Sequence, residues 1–537
     1  MDIPNPILDD ESQTTFQERW EQSSTLEHGK DICIIGAGPS GLAALKIILD
    51  HPAYKAGLWR PIAFEAREDV GGIWLPAPPD TADPPYTPLY DSLTTNLPHP
   101  VMAYPSFSFP PSTPLYPHAS TVLKYLRDYT SHFKLSQHIQ FNTRVQSVRW
   151  LTEKVKWEVR TESKSSTQGE GVVETKEFDL VIVANGHYRI PRYPSTPGLS
   201  AWLDAGHATH SVYYRNPSHP YLTGPRTVLV IGAGPSGLDV SSDLHALPDK
   251  RVVHSYTGAA NEDLDGGRYK TRPRIKQFLE YDSHNGGTVL FEDGSTESGI
   301  SHCILATGYQ DSFPFLEPPS SDTPPLELGL PPSIPPLPPK LYNSTYHVFP
   351  LAKHLFPLTS SSPDSFPPSS LAFLGLPFRV VPFPLVEAQM RAVVKVFEEP
   401  SSLDATQEAV EIVSRYEEIR ASIPPMYPYD PDVAVAKLWH MLDEHRQFDY
   451  RDALHEFVGG EYAKPEWKVP GWVKDMYKNK GVLRAEWKDI DKSGEAEEWV
   501  RGVGEGENPK QEWVALMYKV LERAVEKHKL ELQKTRL

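Results

Sequence analysis

Two copies of one glycine-rich segment have the residue types and spacing of a phosphate-binding turn. The segment GAGPSG occupies residues 36–41 and recurs at residues 232–237, and each copy follows an apolar run and precedes a helix-forming stretch. Such glycines let the backbone approach a pyrophosphate, and the helix N-terminus offers unpaired N–H groups. The sequence therefore predicts two dinucleotide-binding sites. Their expected contact residues are Gly36, Gly38, Pro39, Ser40 and Gly41 in the first copy and Gly232, Gly234, Pro235, Ser236 and Gly237 in the second.

The residue after the next strand distinguishes the two ligands. Behind the first copy, an apolar run ends at Glu65, whose carboxylate can accept hydrogen bonds from both hydroxyls of an unphosphorylated ribose, which fits FAD. Behind the second copy, the run ends in His254 and Ser255, and no acid repels a 2′-phosphate, which favours NADPH over NADH. The nearby cations could hold that phosphate or form a solvated basic strip; they are Arg268, Lys270, Arg272 and Arg274.

The elements that must position these residues predict an α/β fold. Residues 32–35 and 228–231 have the pattern of buried parallel strands, and residues 179–184 and 303–306 that of further strands of the same kind. From Glu387 the spacing becomes helical. We expect two Rossmann-like dinucleotide-binding domains, the NADPH domain inserted in the FAD domain, and a helical C-terminal extension.

The expected boundaries follow from these patterns. We predict a leader at residues 1–29, an FAD domain at 30–212 that resumes at 336–400, an NADPH domain at 213–335, and the helical extension at 401–537. The proline-rich stretch at 321–343 is interpreted as an extended linker between the domains, and docking on a proline-binding partner is the alternative. The last helix carries apolar residues at helical spacing, and its mixed-sign polar face favours packing on the protein over lying on a membrane.

Composition excludes several classes of function. The net charge of −17 disfavours a nucleic-acid partner. The two cysteines, Cys33 and Cys303, form no CxxC pair, so neither a zinc site nor a disulfide reductase with a cysteine pair beside its flavin is expected. No apolar run is long enough to span a membrane, and the first residues lack the pattern of a secretory or mitochondrial signal. We expect a soluble, cytoplasmic protein without a metal, and its oligomeric state stays open.

Further segments follow the glycine turns in a fixed order. They are Gly71-Gly72-Ile73-Trp74, Leu93-Thr94-Thr95-Asn96-Leu97-Pro98, Gly206-x-x-x-His210-x-x-x-Tyr214-Arg215, Ala306-Thr307-Gly308-Tyr309, Phe313-Pro314-Phe315, Leu371-Ala372-Phe373-Leu374-Gly375 and Pro384-x-x-Glu387-x-Gln389. Over residues 30–400 the series resembles the flavin-containing monooxygenases, in particular their fungal members. Two positions depart from the family pattern: Asp204 stands where the family has Phe, and an Ala-Thr-Gly-like segment reads Ala184-Asn185-Gly186.

The resemblance implies an NADPH-dependent enzyme that uses FAD and molecular oxygen. Such an enzyme inserts one oxygen atom into a small soft nucleophile, at sulfur or nitrogen, through a flavin hydroperoxide. The related Baeyer–Villiger enzymes, which oxygenate ketones, typically have Trp where this chain has Tyr214, and they remain the alternative. A non-catalytic flavoprotein that senses redox state is a third interpretation.

The resemblance also assigns roles to individual residues. Asn96 would face the reactive edge of the flavin as the catalytic side chain, although an Asn beside a Pro could simply form a turn. His210 and Tyr214 would support NADP, with a proton shuttle at His210 as the alternative. Arg215 could anchor a phosphate or pair with a carboxylate, and Gln389 could lie near the flavin ring or be a polar residue on a helix face. Further cofactor contacts are expected from Gly72, Trp74, Thr95, Ser255, Ala306, Thr307 and Gly308.

Overall fold

The chain folds into two compact units. The computed structural model describes residues 29–80, 82–163, 171–317, 324–359, 365–425 and 429–535. The first unit contains the described parts of residues 1–72, 95–186 and 311–537, and the second contains those of residues 73–94 and 187–310. The predicted leader, apart from Gly29, lies outside the described residues. Both segments of the second unit are insertions into the first.

The unit boundaries differ from the domain boundaries expected at 212/213 and 335/336. The longer segment of the second unit begins at His187 and includes the short strand Ala208–His210, which pairs in parallel with His302–Leu305, an inner strand of that unit's sheet. It ends at Gln310, so the described part of the proline-rich stretch belongs to the first unit and does not join the two units. Strand pairing sets these boundaries of the second unit, and strand pairing cannot be predicted from local composition.

The first unit is built on a five-stranded parallel sheet. Its strands, in spatial order, are Leu371–Phe373, Leu180–Val183, Lys30–Ile35, Trp59–Phe64 and Ile139–Gln140. The central strands are nearly continuous apolar runs because parallel sheets are covered on both faces. An antiparallel sheet of Thr143–Leu151, Lys156–Ser163 and Val172–Phe178 packs its apolar side chains into the same core.

The second unit repeats the plan with a six-stranded sheet. The order is Glu262–Leu264, Tyr269–Arg272, Lys250–Ser255, Arg226–Ile231, His302–Leu305 and Ala208–His210. All neighbours are parallel except the edge strand Glu262–Leu264. A three-stranded antiparallel sheet of Ile275–Asp282, Gly286–Phe291 and Thr296–Ile300 completes the unit. The predicted α/β architecture with two Rossmann-like domains is confirmed.

Helices cover the sheets and form the C-terminal region. Those of the first unit are Pro39–Asp50, Pro52–Lys55, His99–Met102, Ala119–His132, Pro382–Glu398, Ala405–Ser422, Pro431–Trp439, Arg446–Val458, Gly471–Lys478, Lys480–Lys492, Ala496–Val500 and Pro509–Thr535; those of the second are Leu199–Asp204 and Pro235–His245. The last helix buries Trp513, Leu516, Met517 and Val520, as its spacing predicts. Within the described residues, none of the helices combines the length and apolarity that crossing a bilayer requires.

Candidate dinucleotide-binding and active site

The first glycine turn is too tight for any side chain larger than hydrogen. The strand Lys30–Ile35 ends at Gly36, whose φ is 103°, and a Cβ there would lie 2.7 Å from the carbonyl oxygen of Ala184. A Cβ on Gly41 would lie 1.9 Å from the carbonyl oxygen of Gly36. The helix Pro39–Asp50 therefore begins directly behind the strand, and its first N–H groups face the end of the sheet.

A second glycine pair closes one side of this turn. A Cβ built on Gly72 would lie 3.0 Å from the Cα of Gly38, and the Gly71 N–H donates to the carbonyl oxygen of Ala37 at 3.1 Å. Because neither glycine carries a side chain, a pyrophosphate could approach the backbone of this turn closely. Trp74, at the end of the 3-10 turn Gly72–Trp74, is partly buried.

Glu65 is placed as the ribose-binding acid should be. Its side chain is buried, and its carboxylate accepts the N–H groups of Ala37 at 2.7 Å and Arg67 at 2.9 Å. Burial raises the pKa of Glu65, and the two backbone donors oppose that rise. Each oxygen takes one of these donors, so further lone pairs remain for the hydroxyls of a ribose. The glycine turn and Glu65 together fit FAD.

Asn96 lies on a short loop that the rest of the first unit holds firmly. The Thr95 N–H donates to the carbonyl oxygen of Pro117 at 3.0 Å, and the Thr95 hydroxyl donates to that of Leu97 at 2.8 Å. Thr95 and Leu97 are buried, whereas Asn96 between them is exposed. Its amide is therefore presented outward from a fixed backbone, where it can both donate and accept.

The C-terminal helix packs against the segment that follows this loop. The sequence did not predict that contact. Trp513 of the helix Pro509–Thr535 packs edge-on against His99, with the ring centroids 4.3 Å apart. His99 follows Asn96 by three residues, and burial lowers its pKa to about 3, so it is neutral. The helical spacing of the apolar residues around Trp513 predicted that its side chain is buried. A single sequence does not indicate which residue that side chain contacts.

Gln389 is a positioning residue for the glycine turn. It is fully buried, its Oε1 accepts the Gly375 N–H at 3.0 Å, and its Nε2 donates to the Tyr450 hydroxyl at 3.1 Å. A Cβ on Gly375 would lie 2.8 Å from the hydroxyl oxygen of Ser40. Gln389 thus connects the Gly375 turn to Tyr450, and a contact of its side chain with the flavin stays a prediction.

The second glycine turn has the same construction. A Cβ on Gly232 would lie 2.3 Å from the carbonyl oxygen of Ala306, and one on Gly237 would lie 1.9 Å from that of Gly232. Gly234 is exposed and has open space around its Cα, and the helix Pro235–His245 begins at the next residue. This surface fits a second dinucleotide, whose pyrophosphate would lie over Gly234.

The four predicted cations near the second turn are all paired. Arg268 contacts Asp265, Lys270 contacts Glu297, Arg272 contacts both Asp263 and Glu297, and Arg274 contacts Glu292. Lys270 and Arg272 share Glu297 and so form one network, whereas the Arg268 and Arg274 pairs are separate. Ser255, predicted as a cofactor contact, is fully buried and donates its hydroxyl to the carbonyl oxygen of Pro273 at 2.7 Å, so it offers no surface to a ligand.

His210 connects two strands of the second unit. Its Nδ1 accepts the Val212 N–H at 3.1 Å, which places the ring proton on Nε2, and Nε2 donates to the carbonyl oxygen of Gly308 at 3.0 Å. Burial lowers its pKa to about 4. With both nitrogens used and the ring neutral, a supporting role fits and a proton shuttle does not. Thr307 likewise donates its hydroxyl to the carbonyl oxygen of Arg192 at 2.5 Å.

Tyr214 and Arg215, both predicted as cofactor contacts, are hydrogen-bonded within the second unit. Tyr214 is fully buried, and its hydroxyl donates to Asp243 of the helix Pro235–His245 at 3.3 Å. The guanidinium of Arg215 donates at 2.8–3.3 Å to the carbonyl oxygens of Ala77, Thr87, Val212 and Tyr214. It thereby ties residues 73–94 to the rest of the second unit.

The same helix has a further buried support that the sequence did not reveal. The Tyr90 hydroxyl donates to Asp239 at 2.8 Å, and Tyr90 and Tyr214 share one apolar cluster. Both acids lie on the Pro235–His245 helix behind the second glycine turn. Two glycine turns that fit a pyrophosphate, with an acid behind the first that is placed to bind a ribose, are the features of a flavoprotein with two dinucleotide-binding domains.

Comparisons with known proteins give the family. Residues 29–261 match the family model described as FMO-like, flavin-binding monooxygenase-like. A flavin-containing monooxygenase of Arabidopsis thaliana, FMO GS-OX-like 7, is 30% identical over 422 residues, 74% of this chain and 80% of the relative. FMO GS-OX-like 2 of the same plant is 29% identical over 86% of this chain and 92% of the relative. The chain belongs to the flavin-containing monooxygenase family, and it is an oxidoreductase that uses FAD and NADPH.

Two solved structures share most of the fold. S-allyl-L-cysteine S-oxygenase from Allium sativum superimposes with a TM-score of 0.65 at 26% identity, over 92% of this chain and 99% of that protein. Tmm from Pelagibacter sp. strain HTCC7211 superimposes with a TM-score of 0.60 at 21% identity, over 85% and 90%. The likeness therefore includes the C-terminal helices and is not confined to the dinucleotide-binding sheets.

Proposed function

We propose that this enzyme transfers one oxygen atom from O₂ to the sulfur of a small thioether, with nitrogen nucleophiles as secondary substrates. The observation that carries the proposal is the similarity to S-allyl-L-cysteine S-oxygenase, which extends over 92% of the chain. Tyr214, where the ketone-oxygenating relatives typically have Trp, points the same way.

The protein's contribution is to bind and orient its cofactors. Bound FAD supplies oxygen activation, and NADPH supplies the reducing hydride. Gly36, Gly38 and Gly41 would cradle the pyrophosphate of FAD, and Glu65 would accept its ribose hydroxyls. The matching residues of the second turn would hold NADPH.

Asn96 is the side chain assigned to the reacting edge of the flavin. An amide donates and accepts hydrogen bonds without adding a charge, so it can hold an oxygen-bearing group without supplying a proton to it. A thioether sulfur is already nucleophilic and needs no general base. His210, which is neutral and hydrogen-bonded through both ring nitrogens, is therefore not needed as a base.

The test measures the product formed from each substrate class. Purified, FAD-loaded enzyme is supplied with NADPH, O₂ and S-allyl-L-cysteine, a tertiary amine or cyclohexanone, and products are quantified against NADPH consumed. We expect sulfoxide formation to exceed amine oxidation and lactone formation. Preferential lactone formation would support the ketone-oxygenating alternative, and NADPH oxidation that yields only hydrogen peroxide with all three substrates would overturn the proposal.

A matched pair of variants tests Asn96. Asn96→Asp keeps the shape but adds a charge and loses a donor, and we expect about a tenfold lower ratio of sulfoxide to NADPH. Asn142→Asp makes the same change at an exposed residue of the first unit and should leave that ratio unaltered. Equal ratios in both variants would remove Asn96 from the mechanism.

A further inference from the structure

Strand register identifies the residue of the second unit that corresponds to Glu65. The first glycine of each turn donates its N–H to the last carbonyl oxygen of the neighbouring strand, at 2.9 Å in both units. That carbonyl belongs to Phe64 in the first unit and to Ser255 in the second. Glu65 follows the former and Tyr256 follows the latter. Tyr256 therefore occupies the position that the ribose-binding acid has in the first unit.

In a Rossmann unit this region distinguishes the two nicotinamide coenzymes. An acid accepts hydrogen bonds from the hydroxyls of an unphosphorylated ribose, whereas a nearby Arg holds the 2′-phosphate of NADPH. Tyr256 is neither an acid of this kind nor a cation. It is partly buried, and its ring lies 4.9 Å from that of His254. A phenol hydroxyl can donate to a ribose hydroxyl or to a phosphate oxygen, so this residue is compatible with both coenzymes.

The adjacent strand supplies an Arg whose donors are all used. Arg272 lies opposite Ser255 in the sheet and is buried. Each of its five N–H donors has an acceptor; the acceptors are the carboxylates of Asp263 and Glu297 and the carbonyl oxygens of Glu262 and Thr271. A guanidinium binds a phosphate through parallel N–H donors, and those of Arg272 are already committed inside the unit.

The other cations behind this strand are balanced by acids. Lys270 donates to both carboxylate oxygens of Glu297, each at 3.0 Å. Arg268 and Arg274 pair with acids at 3.1 and 3.5 Å. Four acids thus balance the four cations of this segment, and residues 255–267, which directly follow the end of the strand, contain no Lys or Arg.

Among the described residues that follow this strand in the second unit, neither feature that fixes the choice of coenzyme is present. A 2′-phosphate would bring negative charge to a segment whose cations are already paired, and an unphosphorylated ribose would meet no acid that favours it. We propose that Tyr256 makes the enzyme discriminate only weakly between the coenzymes, so that it binds and oxidises NADH nearly as well as NADPH. This property holds whichever substrate is oxygenated.

Calorimetric titration with the oxidised coenzymes tests the proposal without turnover. FAD-loaded enzyme is titrated with NADP⁺ and, separately, with NAD⁺, and we expect the two dissociation constants to agree within about tenfold. An Arg that held the 2′-phosphate would separate them further, because a hydrogen bond to a charged group changes affinity by about tenfold to a hundredfold. Anaerobic reduction of the flavin should likewise proceed with either NADPH or NADH.

Two substitutions at Tyr256 should shift the preference in opposite directions. Tyr256→Arg supplies a cation and should tighten NADP⁺ binding about tenfold, with little effect on NAD⁺. Tyr256→Glu reproduces the arrangement of Glu65 and should favour NAD⁺ by about tenfold. Ser283→Arg adds the same charge at an exposed residue, in the turn between the strands Ile275–Asp282 and Gly286–Phe291. It is the matched control and should leave the ratio of the two dissociation constants unaltered.

Arg274→Gln tests whether Arg274 leaves Glu292 to bind the phosphate, since its ion pair is the longest of the four pairs. We expect both dissociation constants to stay as they are. Three results would overturn the proposal: NADP⁺ binding more than about tenfold tighter than NAD⁺ binding in the unaltered protein, a selective loss of NADP⁺ affinity in Arg274→Gln, or a ratio that folded Tyr256 variants leave unchanged. The first two require no change at Tyr256, so they decide the proposal even if neither Tyr256 variant folds.

Discussion

Truncation of Trp513 tests whether the C-terminal helix sets the position of the Asn96 loop. The indole is 6% exposed and packs on His99 at 4.3 Å. Burying a Trp side chain removes about 200 Å² of surface from water, which stabilises the fold by about 5 kcal/mol at about 25 cal/mol per Å². Because an Ala side chain would still bury part of that area, we expect Trp513→Ala to cost about 4 kcal/mol. The edge-on ring contact adds about 1 kcal/mol to this area term.

The structure offers a matched control on the same helix. Leu516 is 7% exposed, so Leu516→Ala also destabilises the helix, by about 3 kcal/mol, but it deletes no ring from His99. Both variants should lower the midpoint of thermal unfolding. We expect only Trp513→Ala to raise the fraction of NADPH that ends as hydrogen peroxide, because only there does the segment after Asn96 lose its support.

The assay compares sulfoxide and hydrogen peroxide formed per NADPH, at a temperature where both variants retain their FAD. Trp513→Phe keeps an aromatic ring against His99 and should restore most of the coupling. The reasoning is refuted if Leu516→Ala and Trp513→Ala uncouple the enzyme equally, since the effect would then follow stability alone.

Two further predictions concern the glycine turns and the buried histidines. Gly41→Ala should yield protein without FAD, whereas Gly237→Ala should keep its FAD but no longer be reduced by NADPH. In each variant the new Cβ would lie 1.9 Å from a carbonyl oxygen of its own turn. Flavin absorbance after anaerobic addition of NADPH distinguishes the two variants, and full reduction of the flavin in both would contradict the assignment. In the folded protein the pKa of His210 is lowered to about 4, whereas in the unfolded chain it is about 6.5. On acidification the unfolded chain therefore takes up the proton first, which favours unfolding. The contribution of His210 to stability is constant above the pKa of the unfolded chain and falls by about 1.3 kcal/mol on going from about pH 7.5 to about pH 5.5. Other histidines whose pKa is lowered act in the same direction, so urea midpoints that do not fall over this range would refute the sign; they are His99, His187, His302, His347, His354 and His455.

The local chemistry of the cofactor turns was readable from the sequence. A strand, a glycine turn and a helix are consecutive in the chain, so the residues at 36–41 and 232–237 specify their own geometry. Glu65 was predictable for the same reason, because it ends the next strand of a βαβ unit. The α/β class, both parallel sheets and the buried face of the last helix follow from periodicity alone.

Roles that depend on partners distant in sequence were not readable. The guanidinium of Arg215 has the chemistry of a phosphate ligand, yet four carbonyl oxygens take its donors. Ser255 and Gln389 were likewise assigned to cofactors, and both are buried with their polar groups committed inside their own unit. A side chain's type limits what it can bind, but its neighbours decide what it does bind.

The positions of the two insertions and the contact of Trp513 with His99 belong to tertiary structure. Each joins segments that lie far apart in the chain, and a single sequence records no preference for one distant neighbour over another. Glycine turns were predictable because backbone sterics act between adjacent residues. Burial and hydrogen-bond satisfaction act between whatever residues the fold brings together, and only the folded chain decides those pairs.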